Sequence, residues 1–404
     1  MRIWLVLYCL CYSLLGMSQK RCYVPIQQEI LSQSTPDFLL DKNDRETILA
    51  RQSNVYSRNG ALTIPVVFHL IGVSGSNFPS DQLVFSQLDV LNEDFAYLNE
   101  NRFDTPLEAD NLAVDIGLRF CLATVDPDGM PTTGIIRTVS DFDCLGNFSQ
   151  VQVGDRPRLY YENLGGSDAW DTDRYLNVWV SNTCGVFLGY STFPGESIPE
   201  EDGIIIDPQY FGRSTTGGPI APYNLGRTLT HEVGHYFNLR HVWGSSGCDD
   251  DDLVDDTPNQ ESFHLGCPLF PSTSCGSPDF FFNFMDFSDD QCLTMFTKGQ
   301  RDRVWNSIAA FRPTLLRDLG CADLIPNTEL AVYPNPARDI LYFQFEGEPG
   351  LVELNFFDAT GRFISNARFE NNGARWIDVW DWANGIYFFE SVDKVYKGKF
   401  VIYR

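Results

Sequence analysis

Apolar positions along the 404-residue chain change their period several times, and each change marks an element. Leu62-Thr63-Ile64-Pro65-Val66-Val67-Phe68-His69-Leu70 is an apolar, β-rich run and predicts a buried strand. Its His69 reads as a satisfied core histidine. Residues 80–98 then repeat Leu83, Leu88, Leu91 and Phe95 at helical spacing. Strands follow at 114–123, 176–180 and 203–207, and a helix at 297–311 gathers Val304, Trp305 and Ile308 on one side. Strands alternating with helices predict an α/β (α+β) domain, a twisted mixed sheet backed by helices. Within it Leu225, Leu229, Val233 and Phe237 also recur at helical spacing, which predicts a buried helix. From Leu330 the pattern becomes short strands rich in Phe, Tyr, Val and Ile. The turn signals Asp358-Ala359-Thr360-Gly361 and Asn371-Asn372-Gly373 separate them, predicting an all-β, Ig-like sandwich.

The buried helix carries the chemistry. Residues 231–241 read His-Glu-Val-Gly-His-Tyr-Phe-Asn-Leu-Arg-His and hold three of the five histidines. His231 and His235 are four residues apart and project from one helical face. Two imidazoles there can grip one Zn²⁺, with Glu232 between them as general base on a bound water. His241 supplies a third nitrogen and leaves one coordination position open, as a catalytic zinc needs. A chance motif on a surface helix is the alternative. Buried polar groups need partners, however, and a metal would supply one. For His241 to reach that metal the chain must turn back sharply after His235. Asn238 suits the turn, because Asn is the commonest substitute for Gly in the left-handed region.

This zinc motif and the downstream Asn283-Phe284-Met285-Asp286 resemble the metzincin clan, in which a methionine turn follows the long motif. HEVGHYFNLRHVWG and NFMDFSDDQC are similar to the pappalysin family, in particular its cytophagalysin or ulilysin-like branch, over roughly residues 60–320. The resemblance implies a metzincin-type catalytic domain with a zinc-binding active-site helix, acting as a zinc endopeptidase on protein or peptide substrates. It implies that Met285 floors the metal site without ligating. It implies that the strand at Gly203–Ile206 is the sheet edge that holds substrate antiparallel; a plain buried strand is the alternative. It implies pairings Cys248–Cys275 and Cys267–Cys292, although four cysteines allow three connectivities. It implies a structural Ca²⁺ in the loop Cys248–Pro258, carried by Asp252 and Thr257 with Asp255; a merely solvated acidic loop is the alternative. Arg21-Cys22 looks like the branch's Arg-Cys pair near the mature start, which makes Cys22 a candidate zymogen zinc switch. One position departs from the branch. Phe287 stands where relatives often carry a Tyr, and it has no hydroxyl to donate. That departure lends weight to the competing reading, a non-catalytic surface binding or adhesion protein that retains a structural zinc. Some relatives cut before Arg, and Asp289-Asp290 is compatible with a cationic side-chain pocket, but the substrate-binding residues are not readable from the sequence.

Composition and the chain ends narrow the setting. MRIWLVLYCLCYSLLGMS has one positive charge, an apolar run and small residues, and reads as a signal peptide cut before Gln19. No later stretch is long and apolar enough to span a bilayer. Nine cysteines remain after cleavage, an odd number, and export makes disulfides plausible. A formal net charge of −25 argues against nucleic acid as a partner. Val332-Tyr333-Pro334-Asn335-Pro336, Gly385-Ile386-Tyr387 and the 397–404 terminus resemble the C-terminal sorting domain of type IX secretion. The resemblance implies that machinery as a partner and export through the periplasm of a Bacteroidetes-type bacterium to the surface or medium. A substrate-binding accessory sandwich is the alternative. The expected organisation is signal peptide 1–18, propeptide 19–58, catalytic domain 59–322, linker 323–329 and sorting domain 330–404.

Overall fold

The structure, a computed structural model, describes residues 20–22, 42–51, 61–75, 78–147, 156–213, 219–245, 247–316, 330–345, 351–359, 362–370, 373–391 and 396–404. The signal peptide, most of the expected propeptide with its processing site at 55–60, the linker and Cys321 lie outside these residues. The chain divides into two compact units, Met1–Cys321 and Ala322–Arg404.

The first unit is built on a seven-stranded sheet. Its strands are β1 (Lys20–Cys22), β2 (Leu62–Val73), β3 (Leu118–Leu122), β4 (Ile135–Ser140), β5 (Leu176–Val180), β6 (Phe187–Ser191) and β7 (Ile204–Ile206). They lie in the order β1-β6-β7-β5-β2-β3, with β4 also paired to β2. The long β2 serves three partners in parallel, β3 along Leu62–Val66, β5 along Val66–Leu70 and β4 from Phe68 onward. β7 is parallel to β5, and β6 is antiparallel to β7. The expected sheet edge at 203–206 is therefore corrected. β7 is interior, and the outermost strand after residue 61 is β6. All five β6 residues are buried, so it shows no alternation to betray it. The three-residue β1 continues the sheet beyond β6, in parallel, with Cys22 opposite Gly189.

Helices α1 (Lys42–Ala50), α2 (Asp81–Phe95), α3 (Arg227–Tyr236) and α4 (Lys298–Phe311) complete this framework. The Ser80 side chain caps α2, and Thr297 with Gln300 forms a reciprocal capping box on α4. Val84, Leu91 and Phe95 of α2, Leu229 and Val233 of α3, and Val304, Trp305 and Ile308 of α4 share one core with Ile64, Val66 and Phe68. His69 is a core histidine, its ring nitrogens 2.8 Å from Ser167 Oγ and 3.0 Å from Asn177 Oδ1. Disulfides join Cys144 to Cys184, Cys248 to Cys275 and Cys267 to Cys292. The last two staple the segment between the zinc motif and Met285.

The second unit is all β. Strands β8 (Ala331–Tyr333), β9 (Ile340–Phe345) and β12 (Gly373–Asp378) form one antiparallel sheet in the order β8-β9-β12. β10 (Leu351–Asp358), β11 (Phe363–Glu370), β13 (Gly385–Ser391) and β14 (Lys397–Ile402) form a second, in the order β11-β10-β13-β14. Inward positions alternate along β10, where Val352, Leu354 and Phe356 are buried. Phe343 of the first sheet reaches Phe356, Phe369 and Phe389 of the second at centroid distances of 5.8, 5.6 and 5.5 Å. These rings close the two sheets into a sandwich.

Candidate active site

Helix α3 ends at Tyr236, and the next turn decides the geometry of the site. Asn238 adopts φ +74°, the left-handed region expected of it. Its N–H donates to His235 O and the Leu239 N–H donates to Gly234 O, each at 2.8 Å, so the freed carbonyls of α3 are satisfied. The chain reverses and brings His241 under the helix. His235 Nε2 then lies 3.1 Å from both His231 Nε2 and His241 Nε2.

The three nitrogens converge, and those of His231 and His235 present lone pairs there. His231 Nδ1 lies 2.8 Å from Phe284 O and His235 Nδ1 lies 2.8 Å from Leu239 O. A carbonyl only accepts, so each Nδ1 carries the proton and each Nε2 carries a lone pair. Burial, with the other histidines beside it, holds His231 well below the usual imidazole range; burial lowers His235 to about 4. Neutral imidazoles converging this closely suit a cation between them. Nitrogens bound about 2.0–2.1 Å from one tetrahedral zinc stand roughly 3.3 Å apart, so the donor set fits that ion. His241 is held by Trp243, whose ring stacks on it at 4.3 Å and 4°.

Glu232 is buried beside this cluster. Burial pushes its carboxyl up to about 8, while Cys22 and Arg21 pull the other way. Its Oε2 accepts from Cys22 Sγ at 3.6 Å, and Oε1 has no hydrogen-bond partner among the described residues. Cys22 itself, brought in by β1, places its sulfur with the three histidine nitrogens, all four atoms lying within 4.8 Å of one another. This is the one grouping of metal-ligating side chains among the described residues.

Two glycines hold this arrangement together, and both need the absence of a side chain. A Cβ at Gly234 would collide with Met285 Sδ, so Met285 sits directly against α3. A Cβ at Gly189 would lie 2.8 Å from Glu232 Cγ and 2.9 Å from its Oε1. Gly189 was not singled out from the sequence; a glycine inside an apolar run signals such a close approach. Phe287 packs its ring at 5.5 Å from His231 and 5.0 Å from His241, within a cluster that includes Trp243 and Phe263. It shields the imidazoles and offers no hydroxyl.

Asp290 is a second buried carboxylate, and Arg21 links it to the strand that carries Cys22. Asp290 is fully buried and accepts from Leu225 N at 2.9 Å and Arg227 N at 3.3 Å. Burial raises its carboxyl, with Arg21 the first group opposing that rise. Arg21 Nη2 donates to Asp290 Oδ1 at 2.9 Å, Nη1 donates to Ser288 O, and the guanidinium lies 4.7 Å from the Tyr223 ring centroid. Asp289 faces partly outward.

The acidic loop is arranged more simply. Asp252 is buried and pushed up to about 7 by burial, accepting from Thr257 Oγ1 at 2.7 and 2.8 Å and from Val254 N at 3.1 Å. Asp255 is exposed, and Asp256 accepts from Thr297 Oγ1 and Gly299 N at the start of α4. His264 bridges Asp286 and Asp279 at 3.4 Å each, away from the zinc-motif imidazoles.

Comparison with known proteins places these features in a family. Residues 161–309 match the pregnancy-associated plasma protein-A peptidase family, and residues 331–403 match the secretion system C-terminal sorting domain. An extracellular metalloprotease of Pyricularia oryzae is 31% identical over 302 residues, covering 72% of this chain and 89% of its own. Extracellular metalloprotease 1 of Coccidioides posadasii is 30% identical, over 69% of this chain and 87% of its own. Among solved structures, a mutant of Tannerella forsythia promirolysin aligns with TM-score 0.64 and 37% identity, over 73% of this chain and 97% of that one. Mature mirolysin in complex with a cleaved peptide aligns with TM-score 0.60 and 40% identity, over 65% and 98%. Kinship over most of both chains makes this protein a member of the pregnancy-associated plasma protein-A (pappalysin) family of metzincins, a secreted zinc metalloendopeptidase made as a zymogen with a type IX sorting domain.

Proposed function

We propose that His231, His235 and His241 hold the catalytic zinc, that Glu232 is the general base, and that Arg21 and Cys22 keep the unprocessed enzyme latent. The observation that carries the reading is the convergence of three buried imidazole nitrogens beside one buried carboxylate. Zinc supplies a Lewis acid that acidifies water and polarises the scissile carbonyl. Glu232 takes the proton of the attacking water and delivers it to the leaving amine. Its position between two histidines of α3 and against Gly189 fixes where that proton is received. Met285 supports α3 from beneath, and Phe287 keeps water from the imidazoles. No side-chain hydroxyl at 287 assists the oxyanion.

In the unprocessed chain the Cys22 thiol lies where water and substrate must enter. Arg21 fills the Asp290 recess in the manner of a substrate side chain. Its ion pair, carbonyl contact and ring stacking support recognition of a basic residue immediately after the scissile bond. The substrate main chain would extend β6 once β1 has left. The segment 55–60, turn-like in sequence, is the proposed processing region, within a signal peptide 1–18, propeptide 19–58, catalytic domain 59–322, linker 323–329 and sorting domain 330–404. We also assign a structural calcium to Asp252 and Thr257, with Asp255 from the loop rim. A divalent cation would keep the buried Asp252 ionised.

Four outcomes test these assignments. Glu232→Ala retains zinc by metal analysis and lowers kcat on casein by about 10²–10⁴-fold; turnover at the parental rate would overturn the general-base role. Cys22→Ala makes the unprocessed protein active, whereas latency equal to the parent removes the switch. Asp290→Asn lowers kcat/KM for peptides with Arg after the scissile bond by roughly 30-fold relative to peptides with Leu there. Calcium at about a hundred times its dissociation constant, with zinc held constant, stabilises the parent by about 2.7 kcal/mol and leaves Asp252→Ala unchanged in thermal melting.

A further inference from the structure

Helix α1 packs within the first unit through a pair of arginines that the catalytic reading does not use. Glu46 Oε1 accepts from Arg240 Nη2 at 2.7 Å and from Arg303 Nη2 at 2.5 Å, and Oε2 accepts from Arg303 Nη1 at 3.0 Å. The Arg303 contact is bidentate, the geometry in which a guanidinium best recognises a carboxylate. Both arginines lie about nine-tenths buried beneath α1. Arg303 is aimed by its Nε, which donates to Asn238 O at 2.8 Å. Arg240 Nη1 is buried and has no hydrogen-bond partner among the described residues. Beside Glu46, Arg45 pairs with Glu196 at 2.5 Å and lies over Phe193 at 5.5 Å.

This place adjoins the catalytic cleft. Arg240 is the neighbour of His241 in the chain, and the Phe193 ring lies 5.1 Å from the His235 ring. Phe193 and Glu196 follow the C-terminal end of β6. A substrate antiparallel to β6 runs from that end toward Phe187, so the residues near Phe193 are those before its scissile bond.

We propose that Arg240 and Arg303 form a subsite of the mature enzyme for an acidic side chain upstream of the scissile bond, which Glu46 fills in the zymogen. The inference rests on the proposed removal of the propeptide and on peptide binding along β6. Two adjacent guanidiniums repel each other, and loss of Glu46 takes away the carboxylate that bridges them. Asp250 and Asp252 add negative potential nearby. Asp250 accepts from Ser245 N and Asp252 accepts from Thr257 and Val254, while the bidentate contact to Arg303 is made by Glu46. A Glu or Asp of the substrate supplies the same two oxygens. Glu196, which pairs with Arg45 in the zymogen, favours a basic residue next to the acidic one.

The test uses processed enzyme and peptides with Arg after the scissile bond. Each pair carries a single Glu or Gln at one position, scanned from the second to the sixth residue before that bond. The expected result is a Glu peptide cleaved with about five- to tenfold higher kcat/KM at one or two positions, through a lower KM that rises with added salt. Arg240→Gln equalises that pair, and Arg240→Lys keeps part of the difference. Glu and Gln peptides within about twofold of each other at every position, while cleavage before Arg persists, overturn the subsite alone. A Glu preference surviving in Arg240→Gln also overturns it, and the salt response of the parent decides the matter if that variant does not fold. No cleavage of any peptide overturns the underlying peptidase reading, and the subsite with it.

Discussion

Three buried imidazole nitrogens, with His231 Nε2 and His241 Nε2 each 3.1 Å from His235 Nε2, are the constraint around which the first unit is arranged. Left without a cation they would repel, so everything that brings them together works against a local cost. Two of them come from one helical face at no expense in chain geometry. The third requires the chain to reverse within five residues, which is why Asn238 occupies the left-handed region and why Arg303 braces its carbonyl. Carbonyls of Phe284 and Leu239 fix the tautomers from behind. Met285 and Gly234 set how closely the floor can rise, and the two disulfides after residue 248 hold the segment that delivers Phe284 and Met285.

Much of this was legible in the sequence because it is local. The spacing of Leu83, Leu88, Leu91 and Phe95 marks α2, and Val304, Trp305 and Ile308 mark α4, since a helix repeats its buried face every few residues. The eleven residues from His231 to His241 carry the ligands, the base and the turn in one run. β6 was not legible. It is five residues long, buried on both faces and interrupted by Gly189, so neither period nor length distinguishes it. The sheet edge was accordingly placed one strand too far inward, at β7, whose three isoleucines give the stronger apolar signal.

The contacts that define recognition were illegible for a different reason. Arg21 and Asp290 are 269 residues apart, and Glu46 meets Arg240 and Arg303 across 194 and 257. No periodicity links such positions, and charged residues on a chain this acidic look alike until the fold selects among them. Phe287 is legible in the sequence only as a ring without a hydroxyl; the fold adds that this ring packs against His231 and His241.

The buried pair between Arg21 and Asp290 has a consequence for how such an enzyme can change over time. If one carboxylate both chooses the substrate side chain and retains the inhibitor, the two traits cannot drift apart. A lineage that altered residue 290 to accept a different side chain would, in the same step, loosen the hold on its own leader segment and expose the cell to an enzyme active too early. Selectivity and restraint would therefore be inherited together, with residues 21 and 290 free to vary only as a matched couple.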